Sequence, residues 1–359
     1  MTQKFKILAA DKLAPEGLAF IDQQEDVELV NKPGLSPEAL AEIIGHHDAM
    51  IIRSGVQVTA KVLDNPGQLK VIARAGVGVD NIDLEAATQK GILVVNTAQA
   101  STITTAEHAF TLMMALARHI GHAHQTMAQG QWDRNRFKGH QLYGNTLGVV
   151  GLGRIGYAVA ERALAFGMKV LAYDPFYNGE TALDGKVQMF NQFVQLLPHI
   201  DFLTFHVPLN DQTRGMLNRK TFALAKKGFC LINAARGGIV DESALLEALD
   251  EGQCSAAALD VFETEPLEEK SALRNHPKIL VTPHLGASTI EAQQAVSIEA
   301  AKSVLTYLRG EGVNGAVNAG GLRLDLSPLQ SRFVDLAGRM AKLVSPMITR
   351  GIASVTFEL

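Results

Sequence analysis

Thr146-Leu147-Gly148-Val149-Val150-Gly151-Leu152-Gly153-Arg154-Ile155-Gly156 reads as a buried parallel strand that runs through a glycine-rich turn into a helix. Each glycine has its own task. Gly151 permits the tight turn, Gly153 lets the backbone approach a pyrophosphate, and Gly156 lets the helix pack closely on the strand. The helix N-terminus that follows, from Arg154 and Ile155, offers N–H groups and a dipole to an anion. Asp174 stands 23 residues after Gly151, where an acid accepts a ribose 2′-hydroxyl and repels a 2′-phosphate. Glycines alone also occur in ordinary strand-to-helix turns. Strand, turn, helix and trailing acid together form the dinucleotide fingerprint and point to NAD.

The same alternation extends in both directions. Lys6 to Ala9, Val27 to Val30, Ala49 to Ile52, Val71 to Arg74 and Leu93 to Asn96 are short apolar runs that predict strands. Pro15 to Gln23 and Pro37 to Ile44 predict helices between them. A long, mostly apolar helix is expected from Thr102 to His119, and an Ala- and Val-rich one from Thr289 to Leu308. Strands recur through Leu280-Val281. This rhythm predicts an α/β fold with parallel sheets covered by helices on both faces.

Three polar residues emerge at the carboxyl ends of predicted strands, the rim where open α/β sheets bind ligands. Arg236 follows Phe229 to Ile232, Glu265 follows Ser255 to Leu259, and His284 follows Lys278 to Val281. Hydride transfer between a nicotinamide and a 2-hydroxy acid needs a clamp for the carboxylate, which Arg supplies by bidentate hydrogen bonding. It also needs an acid–base for the hydroxyl proton, which His supplies because its ordinary pKa lies near working pH. A Glu on the far ring nitrogen fixes the tautomer and stabilises the imidazolium.

With these segments the chain resembles the D-isomer-specific 2-hydroxyacid dehydrogenases, over about residues 5 to 318. The likeness is carried by Arg74-Ala75-Gly76-Val77-Gly78-Val79-Asp80-Asn81, the GLGRIG turn, Ala235-Arg236-Gly237-Gly238, Asp260-Val261-Phe262 and Pro283 to Thr289. The resemblance implies two doubly wound parallel-sheet domains. A Rossmann-type cofactor domain (99–288) would be inserted into a flavodoxin-like substrate domain made of 1–98 and 289–318. It implies catalytic roles for Arg236, Glu265 and His284. NAD contacts would fall on Val77, Gly151, Gly153, Arg154, Ile155, Gly156, Asp174, Val207, Pro208, Ala234, Ala235, Arg236, Asp260, His284 and Gly286. Substrate contacts would fall on Arg53, Ser54, Arg74, Val77, Gly78 and Arg134, the last reaching across a homodimer or homotetramer interface. The most similar branch of the family oxidises D-3-phosphoglycerate to 3-phosphohydroxypyruvate, the opening step of serine synthesis. Two departures lie on the phosphate side. Gln57 stands where many relatives of that branch carry Lys, and Asn96-Thr97-Ala98-Gln99-Ala100-Ser101 alters a usual Asn-x-Pro pattern. An unphosphorylated acid such as hydroxypyruvate or glyoxylate therefore stays open as substrate, and so does a cofactor-sensing binding protein.

Composition bounds the rest. The 359 residues, 47% hydrophobic, suffice for two cores, and a net charge of −4 gives no reason to expect nucleic acid or an anionic membrane surface. Cys230 and Cys254 form no paired motif, which fits a reducing compartment, and no signal-peptide pattern opens the chain, so a cytoplasmic location is expected. His119, His122 and His124 are read as histidines at a helix C-terminus rather than as metal ligands, and no metal is expected. His206 is expected to shape the cofactor side without reacting. In the tail, 319–359, Leu326 to Pro346 has the pattern of an amphipathic helix and Ser354 to Phe357 that of a strand. By resemblance this tail is like the opening of an extra domain, either cut or adapted.

Overall fold

The computed structural model describes residues 4–319, together with Phe333, Leu336, Arg339 and Met340 in helical conformation. Those four apart, the helix expected at 326–346 and the strand at 354–357 lie outside the described residues. The chain divides into two compact units, one holding residues up to Ser101 and again from Ala287, the other Thr102–Gly286.

In the first unit the apolar runs become β1 (Phe5–Ala9), β2 (Val27–Asn31), β3 (Ala49–Ile52), β4 (Val71–Arg74) and β5 (Leu93–Asn96). They form an all-parallel sheet in the order β2-β1-β3-β4-β5. All four residues of β3 are buried, as expected of a central strand covered on both faces. Its helices start where local chemistry allows. Pro15 and Pro37 open α1 (Pro15–Asp22) and α2 (Pro37–Ile43), where a missing N–H costs nothing. The Asp83 carboxylate accepts the Ala86 N–H at 2.9 Å to cap α3 (Leu84–Gln89).

The second unit opens with α4 (Thr102–Ala117) and α5 (Ile120–Ala128), followed by β6 (Thr146–Val150), α6 (Arg154–Ala165) and β7 (Lys169–Tyr173). A short antiparallel pair, β8 (Thr181–Ala182) and β9 (Val187–Phe190), comes next. The chain continues through α7 (Phe193–Leu196), β10 (Phe202–Phe205), α8 (Arg219–Phe222), β11 (Phe229–Asn233), α9 (Glu242–Asp250), β12 (Cys254–Leu259) and β13 (Ile279–Val281). The sheet order is β13-β12-β11-β10-β6-β7-β9-β8, parallel except at β8. The strand order reverses between β6 and β10, the switch point at which such sheets bind ligands. α10 (Ile290–Leu308), capped by Thr289, belongs again to the first unit, and its Val296, Ala300, Ala301 and Val304 join that unit's core.

One expectation is corrected. The helix predicted from Thr102 to His119 ends at Ala117, because the Ala117 carbonyl accepts the His140 N–H at 2.8 Å and His119 turns left-handed at φ 54°. His122 and His124 therefore lie inside α5, not at the C-terminus of α4. Among the described residues no group of acids, histidines and cysteines could hold a metal ion. No helix among them is long and apolar enough to cross a membrane.

Candidate active site

The glycine turn after β6 has the form its sequence implies. Gly151 sits at φ 89°, and a Cβ there would lie 2.6 Å from the His206 carbonyl at the end of β10. A Cβ on Gly156 would lie 1.9 Å from the Gly151 carbonyl, so both positions must be glycine for the turn and helix to close up. Gly153, the N-cap of α6, faces open space, and no side chain caps the helix. Exposed Arg154 and half-buried Ile155 begin it. An uncapped helix N-terminus behind a bare glycine fits a dinucleotide pyrophosphate. Asp174 closes the turn from β7, its Oδ2 accepting the Leu152 N–H at 2.8 Å and its Oδ1 the Phe176 N–H at 2.9 Å. Val207 and Pro208 continue from β10 beside the turn. His206 shares a 3.1 Å contact with the Thr204 hydroxyl, and burial pushes it down to about 3, so it stays neutral at working pH.

Arg236, Glu265 and His284 stand on loops after β11, β12 and β13, which are neighbours in the sheet. The Asn233 side chain shapes the first loop: its amide nitrogen donates to the Arg236 carbonyl at 2.9 Å and its oxygen accepts the Ala235 N–H at 3.1 Å. Ala234 is buried at the start of that loop, and the Arg236 guanidinium donates to the Ala235 carbonyl at 2.6 Å. A Cβ on Gly237 would lie 1.7 Å from the Phe262 carbonyl, so glycine there lets the first loop lie on the second. Glu242 and Glu263 add reciprocal bonds, each carboxylate accepting the other residue's N–H.

The His284 ring reaches the second loop, with Nδ1 2.7 Å from Glu265 Oε2. Both side chains are partly exposed. Burial alone would raise the Glu265 carboxyl, but the His284 hydrogen bond and charge and the Phe262 N–H outweigh it and hold it below its ordinary value. The carboxylate's contribution to stability is therefore fully present above ~4.3 and is lost as pH falls through the lower folded value. A carbon-detected NMR titration of the Glu265 carboxyl should show a midpoint below ~4.3, and a midpoint at or above it would contradict this account.

Beneath the His284 turn lies Asp260, 0% exposed. Its Oδ1 accepts from Leu285 N at 2.7 Å, Thr282 Oγ1 at 2.6 Å and His108 Nε2 at 3.1 Å; its Oδ2 accepts from Gly286 N at 2.8 Å. Burying an ionised carboxylate costs several kcal/mol unless donors match it, and here they do. Burial would raise its pKa, but His108, Thr282 and the Leu285 N–H bring it below the ordinary value. Asp260 is thus committed to the turn by at least one bond on each oxygen.

The expected substrate residues Arg53, Ser54, Arg74, Val77 and Gly78 lie in the first unit, after β3 and at or after the end of β4. Asp11 Oδ2 accepts the N–H groups of Arg53 and Gly55 at 3.0 and 2.9 Å. Asn81 donates to the carbonyls of Arg53 and Val56 at 2.7 and 2.6 Å. Asp11 and Asn81 therefore fix this loop, and sequence reading assigned neither a role. Gly76 makes room for Arg74, whose Nη1 would lie 1.4 Å from a Cβ there. The Val77 carbonyl accepts the Asn96 amide at 2.7 Å, and Gly78 is half-buried beside it. Arg134 is exposed on the loop between α5 and β6 of the second unit.

Comparison with known proteins bears on this arrangement. Residues 110–286 match the family model for the NAD-binding domain of D-isomer-specific 2-hydroxyacid dehydrogenases. The crystal structure of the TT0316 protein from Thermus thermophilus superposes with a TM-score of 0.79 at 33% identity, covering 87% of this chain and 100% of that one. The chain belongs to the D-isomer-specific 2-hydroxyacid dehydrogenase family. Within this family, D-3-phosphoglycerate dehydrogenase of Methanocaldococcus jannaschii is 47% identical over 313 residues, 87% of this chain and 59% of that protein. A glyoxylate reductase from Paecilomyes thermophila superposes with a TM-score of 0.79 at 29% identity, covering 88% of this chain and 99% of that one. The chain spans about three fifths of the length of the curated relatives it matches.

Proposed function

We propose that this dehydrogenase oxidises D-3-phosphoglycerate to 3-phosphohydroxypyruvate with NAD, the first unit serving as substrate domain and the second as cofactor domain. The observation that carries the reading is the 2.7 Å pair between His284 and Glu265 on a sheet edge shared with Arg236. The 47% identity to a protein named for this activity supports the choice of substrate. Family resemblance supports a homodimer or homotetramer to which Arg134 contributes.

The glycine turn, the uncapped start of α6 and Asp174 would hold NAD, with Val207, Pro208, Ala234, Ala235 and Gly286 along its length. Bound there, NAD would supply the acceptor for the hydride that leaves the carbinol carbon. Glu265 accepts a hydrogen bond from Nδ1–H of His284, which leaves Nε2 as the ring atom that takes the hydroxyl proton. As Nε2 gains that proton, the Glu265 carboxylate stabilises the imidazolium. Arg236, fixed by its own loop, clamps the substrate carboxylate. By family resemblance Arg53 and Arg74 of the first unit would supply positive charge for the phosphate, the task that a Lys at position 57 shares in many relatives.

The test is kcat/KM with NADH for 3-phosphohydroxypyruvate against hydroxypyruvate. A preference of about tenfold or more for the phosphorylated acid, ~1.4 kcal/mol, is expected. Equal or reversed rates would mean that Gln57 and the altered 96–101 segment have turned the chain into a general D-2-hydroxyacid reductase.

A further inference from the structure

His284 reaches Glu265 from a backbone at φ 56°, which a residue other than glycine holds only when its surroundings over-determine it. The two residues that follow give their N–H groups to Asp260, and the residue two before gives its hydroxyl to the same carboxylate. The turn is therefore wrapped around one buried group. The remaining donor to that group comes from elsewhere in the chain: His108 of α4, its side chain 18% exposed, with Nε2 3.1 Å from Asp260 Oδ1 and 3.4 Å from Thr282 Oγ1.

We propose that His108 is a positioning residue for the acid–base turn. Its Nε2–H ties the Asp260 carboxylate to α4, and the carboxylate presents its oxygens to Leu285 and Gly286 so that His284 keeps its left-handed backbone and its bond to Glu265. Three donors crowd Oδ1 while Oδ2 has one, so the carboxylate's rotation is set by what meets Oδ1. Without His108, Oδ1 would keep only two donors, both from the turn itself, and the turn would lose its tie to the helix. Glu107, the neighbouring acid on α4, is no substitute, because a carboxylate has no proton to donate to Asp260, and it pairs with Arg162 instead.

This inference rests on the reading of His284 as the acid–base, yet part of its test does not. Hydrogen exchange of the Leu285 and Gly286 amides is measured by NMR in the full chain without cofactor or substrate. His108→Leu should speed exchange at these two amides by about tenfold or more, with distant strands unchanged. His108→Gln, whose amide nitrogen can donate from a similar reach, should stay within about threefold of the parent. Thr282→Val should loosen the same two amides, and it decides the matter if His108→Leu does not fold. In turnover, His108→Leu should lower kcat about tenfold while the KM for NADH stays within about threefold, and His108→Gln should restore the rate. Unchanged amide exchange in folded His108→Leu, unchanged exchange in Thr282→Val where His108→Leu does not fold, or failure of His108→Gln to restore protection overturns the proposal. If the parent protein reduces no 2-keto acid, the functional reading fails while the amide measurements still judge the positioning role.

Discussion

Replacing His284 by alanine is expected to lower kcat by ~10²–10⁴-fold, about 3–5 kcal/mol of barrier, with the KM for NADH little changed. The size follows from the chemistry. Oxidation of a hydroxyl to a carbonyl must release a proton as the hydride departs, and without His284 water has to take it. In the parent protein Glu265 bonds the ring's other nitrogen at 2.7 Å, so it supports the imidazole rather than meeting the hydroxyl itself. Steady-state rates and single-turnover hydride transfer, measured in both directions, would check this. An alanine variant that kept the parental kcat would remove His284 from the mechanism.

Arg236→Ala should reduce kcat/KM by ~10²-fold or more, because on the proposed reading two charge-assisted hydrogen bonds of ~1.5–3 kcal/mol each to the substrate carboxylate would be lost. Both KM and kcat should move, since the carboxylate is present in ground and transition states. Arg236→Lys keeps the charge without the planar fork and should fall between the two. The guanidinium already bonds to the Ala235 carbonyl, and its loop is fixed by Asn233 and Gly237, so the loss would reflect the missing contact rather than a collapsed loop. Far-ultraviolet circular dichroism and the thermal midpoint of each variant would verify that point.

Most of the sheet framework could be read from apolar runs, because parallel strands covered on both faces must be apolar along their length. The runs at Ala49 to Ile52 and Val71 to Arg74 coincide with β3 and β4 at both ends. The break between α4 and α5 was hidden for a physical reason: it depends on His140 competing for a helix carbonyl from outside the helix. Long-range polar partners were hidden likewise. Asp260 reads in sequence as an acid after a strand, and nothing local connects it to His108, which lies far upstream. Asp11, just past β1, and Asn81, in the loop between β4 and α3, converge on the 53–56 loop, a meeting that the parallel topology brings about. The available signal was the place of Asp11 just past β1 and of Asn81 in the loop ahead of α3, where an Asp or Asn side chain can bond a neighbouring loop's backbone.

Asp174 has a consequence for lineage and for engineering. The carboxylate read as the discriminator between the two nicotinamide cofactors is also the latch on the glycine turn, through Leu152 and Phe176. On the proposed reading, selectivity and loop shape are inherited together. A descendant that exchanged this acid for a cation to welcome a 2′-phosphate would open the latch in the same step. The accessible routes to a changed cofactor are those that first recruit another acceptor for the Leu152 N–H, and this orders the substitutions.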